Sequence, residues 1–334
     1  MCFLSFRAVD FGFSTTNRPI RIAGAKQALR ARQQPLLALF VFMILEKKSP
    51  CKVNLLLNIL GKRPDGFHEL ESVMHQVNLC DELRFTRSAS GIQLTCSDPT
   101  LPTDSSNLVH RAAAAFVGAA GIKDGIGIHL EKRIPIEAGL GGGSSNAAVT
   151  LLALNERFDG VLSAPQIHDI AASLGSDVPF FLQSGPALAS GRGEQIKPLD
   201  PFPSLRGAAF LLIYPGFGVA TAWAYRELAR FPGELHGSAG RAQKLITSLC
   251  VSNVRAAGSQ FYNSLESPVF EKYPLLAIYQ EFLRTEGAAG TLMSGSGSTT
   301  FAIADSEDSA RELEARFLSR FGRCWTAVAL VPVE

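Results

Sequence analysis

Pro135-Ile-Glu-Ala-Gly-Leu-Gly-Gly-Gly-Ser-Ser-Asn146 is the segment on which the reading of this chain turns. It follows a short apolar strand pattern, Gly125 to Leu130, and opens a helical one, Ser144 to Phe158, with Ala147, Leu151, Leu154 and Phe158 on one stripe. Asp159-Gly160 ends that helix. Four glycines and two serines in the seven residues from Gly139 to Ser145 exceed what a tight turn and a cap require. Glycines let backbone N–H groups turn inward without Cβ interference. A helix N-terminus adds unpaired donors and a partial positive charge. The expectation is a phosphate cradle running from Ile134 to Gly143, with the Ser144 and Ser145 hydroxyls available to a phosphate or a magnesium ion. Other glycine-rich loops do not fit: a Walker A loop needs a Lys before its Ser/Thr, a dinucleotide fingerprint needs an acid closing a second strand about twenty residues on, and a nucleophile elbow needs Gly-x-Ser-x-Gly.

Four further segments carry candidate chemistry. Leu174-Gly-Ser-Asp-Val-Pro-Phe-Phe181 sets Asp177 between a helix end and an apolar run, as a turn residue or as a carboxylate held beside a reacting group. Ser49-Pro-Cys-Lys-Val-Asn54 opens a strand with Val53, Leu55, Leu57 and Ile59 on one face and Lys52, Asn54 and Asn58 on the other. Lys52 is then either a solvated edge residue or a positive charge aimed into a cleft. After the turn-rich Gly61 to Gly66, Asp65-Gly-Phe-His-Glu69 presents Phe67 and His68, where His68 reads equally as a surface histidine. Met293-Ser-Gly-Ser-Gly-Ser-Thr-Thr300 is a plain loop or one that wraps polar groups of a substrate.

The remaining pattern is mixed. Asn107 to Gly121 is helical through Leu108, Ala112, Ala115 and Ala119, with Ser105 or Ser106 placed to cap it. Ser163 and Gln166 form a capping box for a helix through Ile167, Ile170, Ala171 and Leu174, with Gly175 at C′. Ala209–Tyr214, Thr299–Ala304 and Ala327–Val331 read as buried strands, and Ser309–Phe321 as an amphipathic helix. This describes an α+β chain of two close-packed lobes, divided near residues 185–200: an N-terminal nucleotide-binding domain over 43–190 and a C-terminal domain over 191–334.

The 334 residues suffice for two such cores. Lys plus Arg number 32 and Asp plus Glu 30, so no net field recruits nucleic acid or an anionic membrane. Six scattered cysteines without ligand spacing read as reduced thiols, which places the protein in the cytoplasm and argues against a zinc site. Residues 1–42 differ, with Asp10 alone against Arg7, Arg18, Arg21, Lys26, Arg30 and Arg32. The apolar run Leu36–Leu45 that follows is too short to span a bilayer. A plastid transit peptide fits this composition; the reading taken is an extension outside the fold, with Met43 as the start.

Together, the Pro-x-Lys-x-Asn strand, the Gly-Leu-Gly-Gly-Gly-Ser-Ser loop and the late Ser-Gly-Ser-Gly-Ser loop resemble the three motifs of the GHMP kinase superfamily. Lys62-Arg-Pro-Asp-Gly-Phe-His-Glu-Leu70, the segment Leu174–Phe181 and Gly191-Arg-Gly-Glu194 are similar to the branch that phosphorylates 4-diphosphocytidyl-2-C-methyl-D-erythritol. The resemblance runs from about Lys48 to the C-terminus. It implies a two-lobed fold, the N-terminal lobe like ribosomal protein S5 and the C-terminal lobe ferredoxin-like, acting as a monomer or weak homodimer on a small molecule with ATP and Mg²⁺. It implies Asp177 as general base and Lys52 as the charge that holds base and hydroxyl in register. It further implies Asn107, Lys132 and the run Pro135, Ile136, Glu137, Ala138, Gly139, Leu140, Gly141, Gly142, Gly143, Ser144 and Ser145 around ATP. Asn54, Phe67, His68, Thr221 and Tyr225 would line the cytidine side. Many relatives carry Tyr at the position of Phe67, which costs a hydroxyl and keeps a stacking ring.

Overall fold

The computed structural model describes residues 44–251 and 253–331; the expectations for residues 1–42 lie outside them. In chain order the elements are β1 (Leu45–Lys62), β2 (His68–Ser88), β3 (Ile92–Cys96), α1 (Leu108–Ala120), β4 (Gly125–Glu131), α2 (Gly142–Arg157), α3 (Ala164–Leu174), β5 (Ala187–Ser190), β6 (Gln195–Pro198) and β7 (Ala209–Tyr214). There follow α4 (Thr221–Glu227), α5 (Pro232–Leu235), α6 (Arg241–Val251), α7 (Val254–Gly258), β8 (Tyr262–Asn263), α8 (Glu266–Lys272), α9 (Pro274–Thr285), β9 (Gly290–Met293), β10 (Thr300–Ala304), α10 (Glu307–Phe321) and β11 (Trp325–Leu330). Among the described residues no helix is long and apolar enough to cross a membrane.

The strands form two sheets. A seven-stranded sheet runs β3-β4-β2-β1-β8, with β5 on β2 and β6 on β5. Its frame is the antiparallel β1–β2 pair, in register from Leu45 opposite Phe85 to Lys62 opposite His68, with shifts at Pro50/Cys51, Asn54/Leu56 and Ile59/Gly61. These shifts correct the simple alternation expected of Lys52–Leu60. An extra residue re-aims the side chains beyond it, and both faces are covered, so every residue from Cys51 to Ile59 is buried. Lys52, Asn54 and Asn58 are therefore interior residues and not a solvated face.

The second sheet is four-stranded and antiparallel, in the order β11-β7-β10-β9. Helices α9 and α10 cover one side, where Tyr279, Leu283, Leu313 and Phe317 pack on Leu211, Ile213 and Ala302. The other side shares a core with the first sheet: Phe210, Leu212, Phe301 and Ile303 meet Cys51, Val53, Leu55, Val73 and Val77. Helices α1, α2 and α3 close the first sheet through Phe116, Leu151, Leu154 and Ile167 against Phe85, Ile126 and Ile128.

Several local expectations shift. Asn107, not Ser105 or Ser106, caps α1, accepting from the Val109 N–H at 2.9 Å. Ser106 is held instead by Asp104, which accepts from both its N–H and its hydroxyl. The capping box forms, with Gln166 accepting from the Ser163 N–H at 2.9 Å. Gly175 at φ 170° is extended and not left-handed. Helix α2 begins at Gly142, two residues before Ser144, because Gly141 turns at φ 68°. Strand β11 is half-buried, since it lies at the edge of its sheet and pairs only with β7.

Candidate active site

The loop between β4 and α2 is fixed at both ends. At its start, the carboxylate of Asp81 on β2, fully buried, accepts from the backbone N–H of Arg133 at 2.8 Å and of Ile134 at 2.9 Å. The second oxygen of Asp81 accepts from Lys132 Nζ at 2.6 Å and from Asn146 Nδ2, one turn into α2, at 2.9 Å. Asn146 also donates to Ser49 Oγ, which donates to Ser145 Oγ at 2.7 Å. Further along, Leu140 O accepts from the Lys52 N–H at 2.9 Å, tying the loop to β1.

Two glycines are required by space and backbone together. Gly139 has φ 78°, and a Cβ there would stand 2.1 Å from Ser294 O. Gly141 has φ 68°, and a Cβ there would stand 3.1 Å from the Lys52 side chain and the Phe181 ring. Gly139 O accepts from Ser294 Oγ at 2.9 Å, and Ala138 O accepts from the Thr299 N–H at 3.1 Å. The two glycine-rich loops are thus joined through two carbonyls of the first, one met by a side-chain hydroxyl and one by a backbone N–H of the second. The first N–H groups of α2 have no acceptor within the helix, and Gly142, Gly143 and Ser144 line the cleft in front of them. Ser145 does not line it; that side chain is fully buried in the Ser49–Asn146 network.

The cleft has a volume of about 1280 Å³. It brings together Lys52, Asp177, Asn107, Lys132, every residue from Pro135 to Ser144, and Asn54, Phe67, His68, Thr221 and Tyr225. Lys52 is 3% exposed, and its Nζ donates to Asn54 Oδ1 at 2.5 Å and lies 3.4 Å from Asp177 Oδ2. Asn54 donates in turn to Ser72 Oγ at 2.8 Å, which donates to Leu56 O. Asp177 is 40% exposed, facing the cleft from a stretch anchored by buried Val178, Phe180 and Phe181. Of the two sequence readings of Lys52, the charge aimed into a cleft matches its position.

On the other side, the His68 and Tyr225 rings lie 5.1 Å apart, and Phe67 is 49% exposed with the Arg192 guanidinium 4.9 Å from its ring. Partial burial, then the Lys62 charge, lowers the His68 pKa, so the ring stands neutral near pH 7. Burial and the nearby Asp177 raise the Tyr225 hydroxyl, keeping it a neutral donor. Thr221 Oγ1 lies 2.9 Å from Ser296 Oγ of the second glycine-rich loop. Asn107 lines the cleft with its carboxamide engaged by Val109 N–H and Pro102 O.

Sequence reasoning missed Asp81, Ser49, Asn146, Ser72 and Arg192. Asp81 sits in a strand with nothing in its neighbourhood to mark it; its partners lie 51 to 65 residues away. Arg192 falls inside Gly191-Arg-Gly-Glu194, a segment noted for its resemblance and given no role. Among the described residues no three His, Cys, Asp or Glu side chains converge as a metal-ligand set.

Residues 107–185 match the GHMP kinases N terminal domain and residues 235–324 the GHMP kinases C terminal family. A protein of Pelotomaculum thermopropionicum named 4-diphosphocytidyl-2-C-methyl-D-erythritol kinase is 41% identical over 276 residues, 82% of this chain and 94% of its own. One of the same name from Syntrophus aciditrophicus is 44% identical, over 80% of this chain and 92% of its own. A crystal structure of 4-(cytidine 5'-diphospho)-2C-methyl-D-erythritol kinase superposes with a TM-score of 0.72 at 36% identity, covering 86% of this chain and 99% of that one. Homoserine kinase from Cytophaga hutchinsonii, at 20% identity and a TM-score of 0.68, shares the fold. With a buried lysine and a cleft-facing carboxylate meeting beside the joined glycine loops, and with these relatives spanning nearly their whole length, the chain belongs to the GHMP kinases and, within them, to the family of the 4-diphosphocytidyl-2-C-methyl-D-erythritol kinases.

Proposed function

We propose that the chain transfers the γ-phosphoryl group of ATP to the 2-hydroxyl of 4-diphosphocytidyl-2-C-methyl-D-erythritol, giving the 2-phosphate and ADP, a step of the methylerythritol phosphate route to isopentenyl diphosphate. The observation that carries this reading is the 3.4 Å approach of Lys52 Nζ to Asp177 Oδ2 at the point where the glycine-rich loop meets the ring-lined half of the cleft.

Phosphoryl transfer asks for positioning and charge stabilisation more than covalent chemistry. The N–H groups opening α2 hold the phosphates. Asp177 accepts the proton of the attacking hydroxyl. Lys52, kept on target by Asn54 and Ser72, holds that carboxylate in register and offsets negative charge as the phosphoryl group moves. The neutral His68 and Tyr225 with Phe67 offer hydrogen bonds and flat faces to a cytosine ring. Asn107 and Lys132 border the nucleotide side. Mg²⁺ fits as a companion of the ATP phosphates, with Ser144 and Glu137, both lining the cleft, as the residues that would offer it oxygen ligands; it would neutralise phosphate charge.

The test is ADP release with ATP and Mg²⁺, with and without the cytidine substrate, and in parallel with homoserine and mevalonate. Release that depends on the cytidine substrate is expected. Release with homoserine or mevalonate alone would make this a different small-molecule kinase, and no release with any acceptor would make it a nucleotide-binding regulator. Asp177→Asn should retain ATP binding and lower turnover by about a hundredfold or more; unchanged turnover removes Asp177 from the mechanism.

A further inference from the structure

Asp81 lies outside the cleft, on β2, and its four hydrogen bonds all converge on the phosphate loop. Three come from consecutive residues at the loop's start: the Lys132 ammonium and the Arg133 and Ile134 backbone N–H groups. The fourth comes from Asn146 on the helix that leaves the loop. One carboxylate oxygen takes the two backbone donors and the other takes the two side-chain donors. A single side chain thereby fixes the distance between the two ends of the cradle. It also aims Lys132, whose side chain is 6% exposed, at the cleft wall; its Nζ stands 3.3 Å from where a Cβ on Gly142 would be.

We propose that Asp81 is a positioning residue for the phosphates of ATP. It touches no substrate. It acts through Lys132 and through the backbone amides that follow it. Asp81 sets where the loop's donors stand before ATP arrives, so the nucleotide does not have to order them. Buried, hydrogen-bonded charge at such a place is often neutral or costly for stability, and this arrangement gives it a use in ligand binding. The inference rests on the reading of the loop as the ATP site.

Its mark is selectivity between the two substrates. Asp81→Asn keeps an oxygen for the Arg133 and Ile134 amides but turns an NH₂ toward Lys132 and Asn146, leaving buried donors unpaired, a loss worth roughly tenfold or more in affinity. KM for ATP should rise about tenfold or more, with KM for the alcohol substrate within about twofold. Asp81→Asn combined with Asn146→Asp returns a carboxylate to the same junction and should recover most of the loss in ATP KM. An unchanged ATP KM, equal rises in both KM values, or no recovery in the swapped pair overturns the proposal. On the wild-type chain without nucleotide, the amides of Arg133 and Ile134 should already exchange slowly, because both donate to the buried Asp81 carboxylate. Fast exchange there that becomes slow only when a non-hydrolysable ATP is added overturns the proposal even if the variants fail to fold. A wild-type chain without ATP-dependent transfer would instead sink the reading of the site itself.

Discussion

At the scale of the residue, Lys52 shows how burial changes what a charge does. The side chain is 3% exposed, on an interior strand, with its ammonium shared between Asn54 and Asp177. An ammonium in that setting keeps its aim without spending entropy when substrate binds. Lys52→Met conserves the stem and removes the charge, so turnover should fall by about a hundredfold. Melting temperature should fall only by a few degrees, because Lys52→Met leaves the buried Asn54 Oδ1 without its donor while Asp177 keeps its contact with solvent. Steady-state assays with parallel melting curves check this; a collapse in melting temperature with intact specific activity would assign Lys52 to the scaffold. Lys52 and Asn54 were legible because polar letters interrupt an apolar strand two residues apart. Asp81 was not, because each of its partners is distant in the chain and its own neighbours, Cys80 and Glu82, are ordinary for a strand.

At the scale of the element, the loop ahead of α2 and the loop ahead of β10 act as one part. Gly139→Ala would drive a methyl into Ser294 O and force a side chain into the left-handed region at φ 78°. The expected outcome is a raised KM for ATP together with a lower melting temperature, by a few degrees or more. A variant that melts like the parent would mean the loops separate freely. Each loop was visible in the sequence through its glycine content, since few other uses demand that composition. Their junction was not, because three of its four groups are backbone and carry no letter, Gly139 O, Ala138 O and the Thr299 N–H, and the fourth, the Ser294 hydroxyl, is one serine among several in its loop. The helix starts erred for a similar reason. Asn107 won the cap of α1 over Ser105 and Ser106 because the Asp104 turn had already claimed Ser106.

At the scale of the whole molecule, pH should act on stability through Glu266. Its carboxylate accepts from the Met293 N–H at 2.8 Å and from Gln280, linking α8 to β9 and α9. Burial outweighs those hydrogen bonds and pushes its pKa up to about 7. A carboxyl raised in the folded state adds stability below its ordinary value near 4.5, and that contribution is lost as pH climbs through about 7. Glu266→Gln should therefore be the more stable protein at pH 8, by roughly 1–3 kcal/mol, and little different at pH 4.5. Denaturant titrations at the two pH values decide it, and an equal effect at both would exclude the ionisation as cause. The α+β class was readable from periodicity, and so were five of the eleven described strands, β1, β4, β7, β10 and β11. Of the second sheet only its ferredoxin-like character was anticipated, through family resemblance, because a pairing such as Leu330 with Ala209 leaves no local trace in the sequence.

The seam between the two glycine-rich loops also bears on how the protein is made. Ser294 and Gly139 are 155 residues apart in the chain. A polypeptide leaving the ribosome has its first loop long before the second exists, so Gly139 O waits for its partner. The first loop therefore reaches its final form only after the segment around Ser294 has been made and has folded onto it.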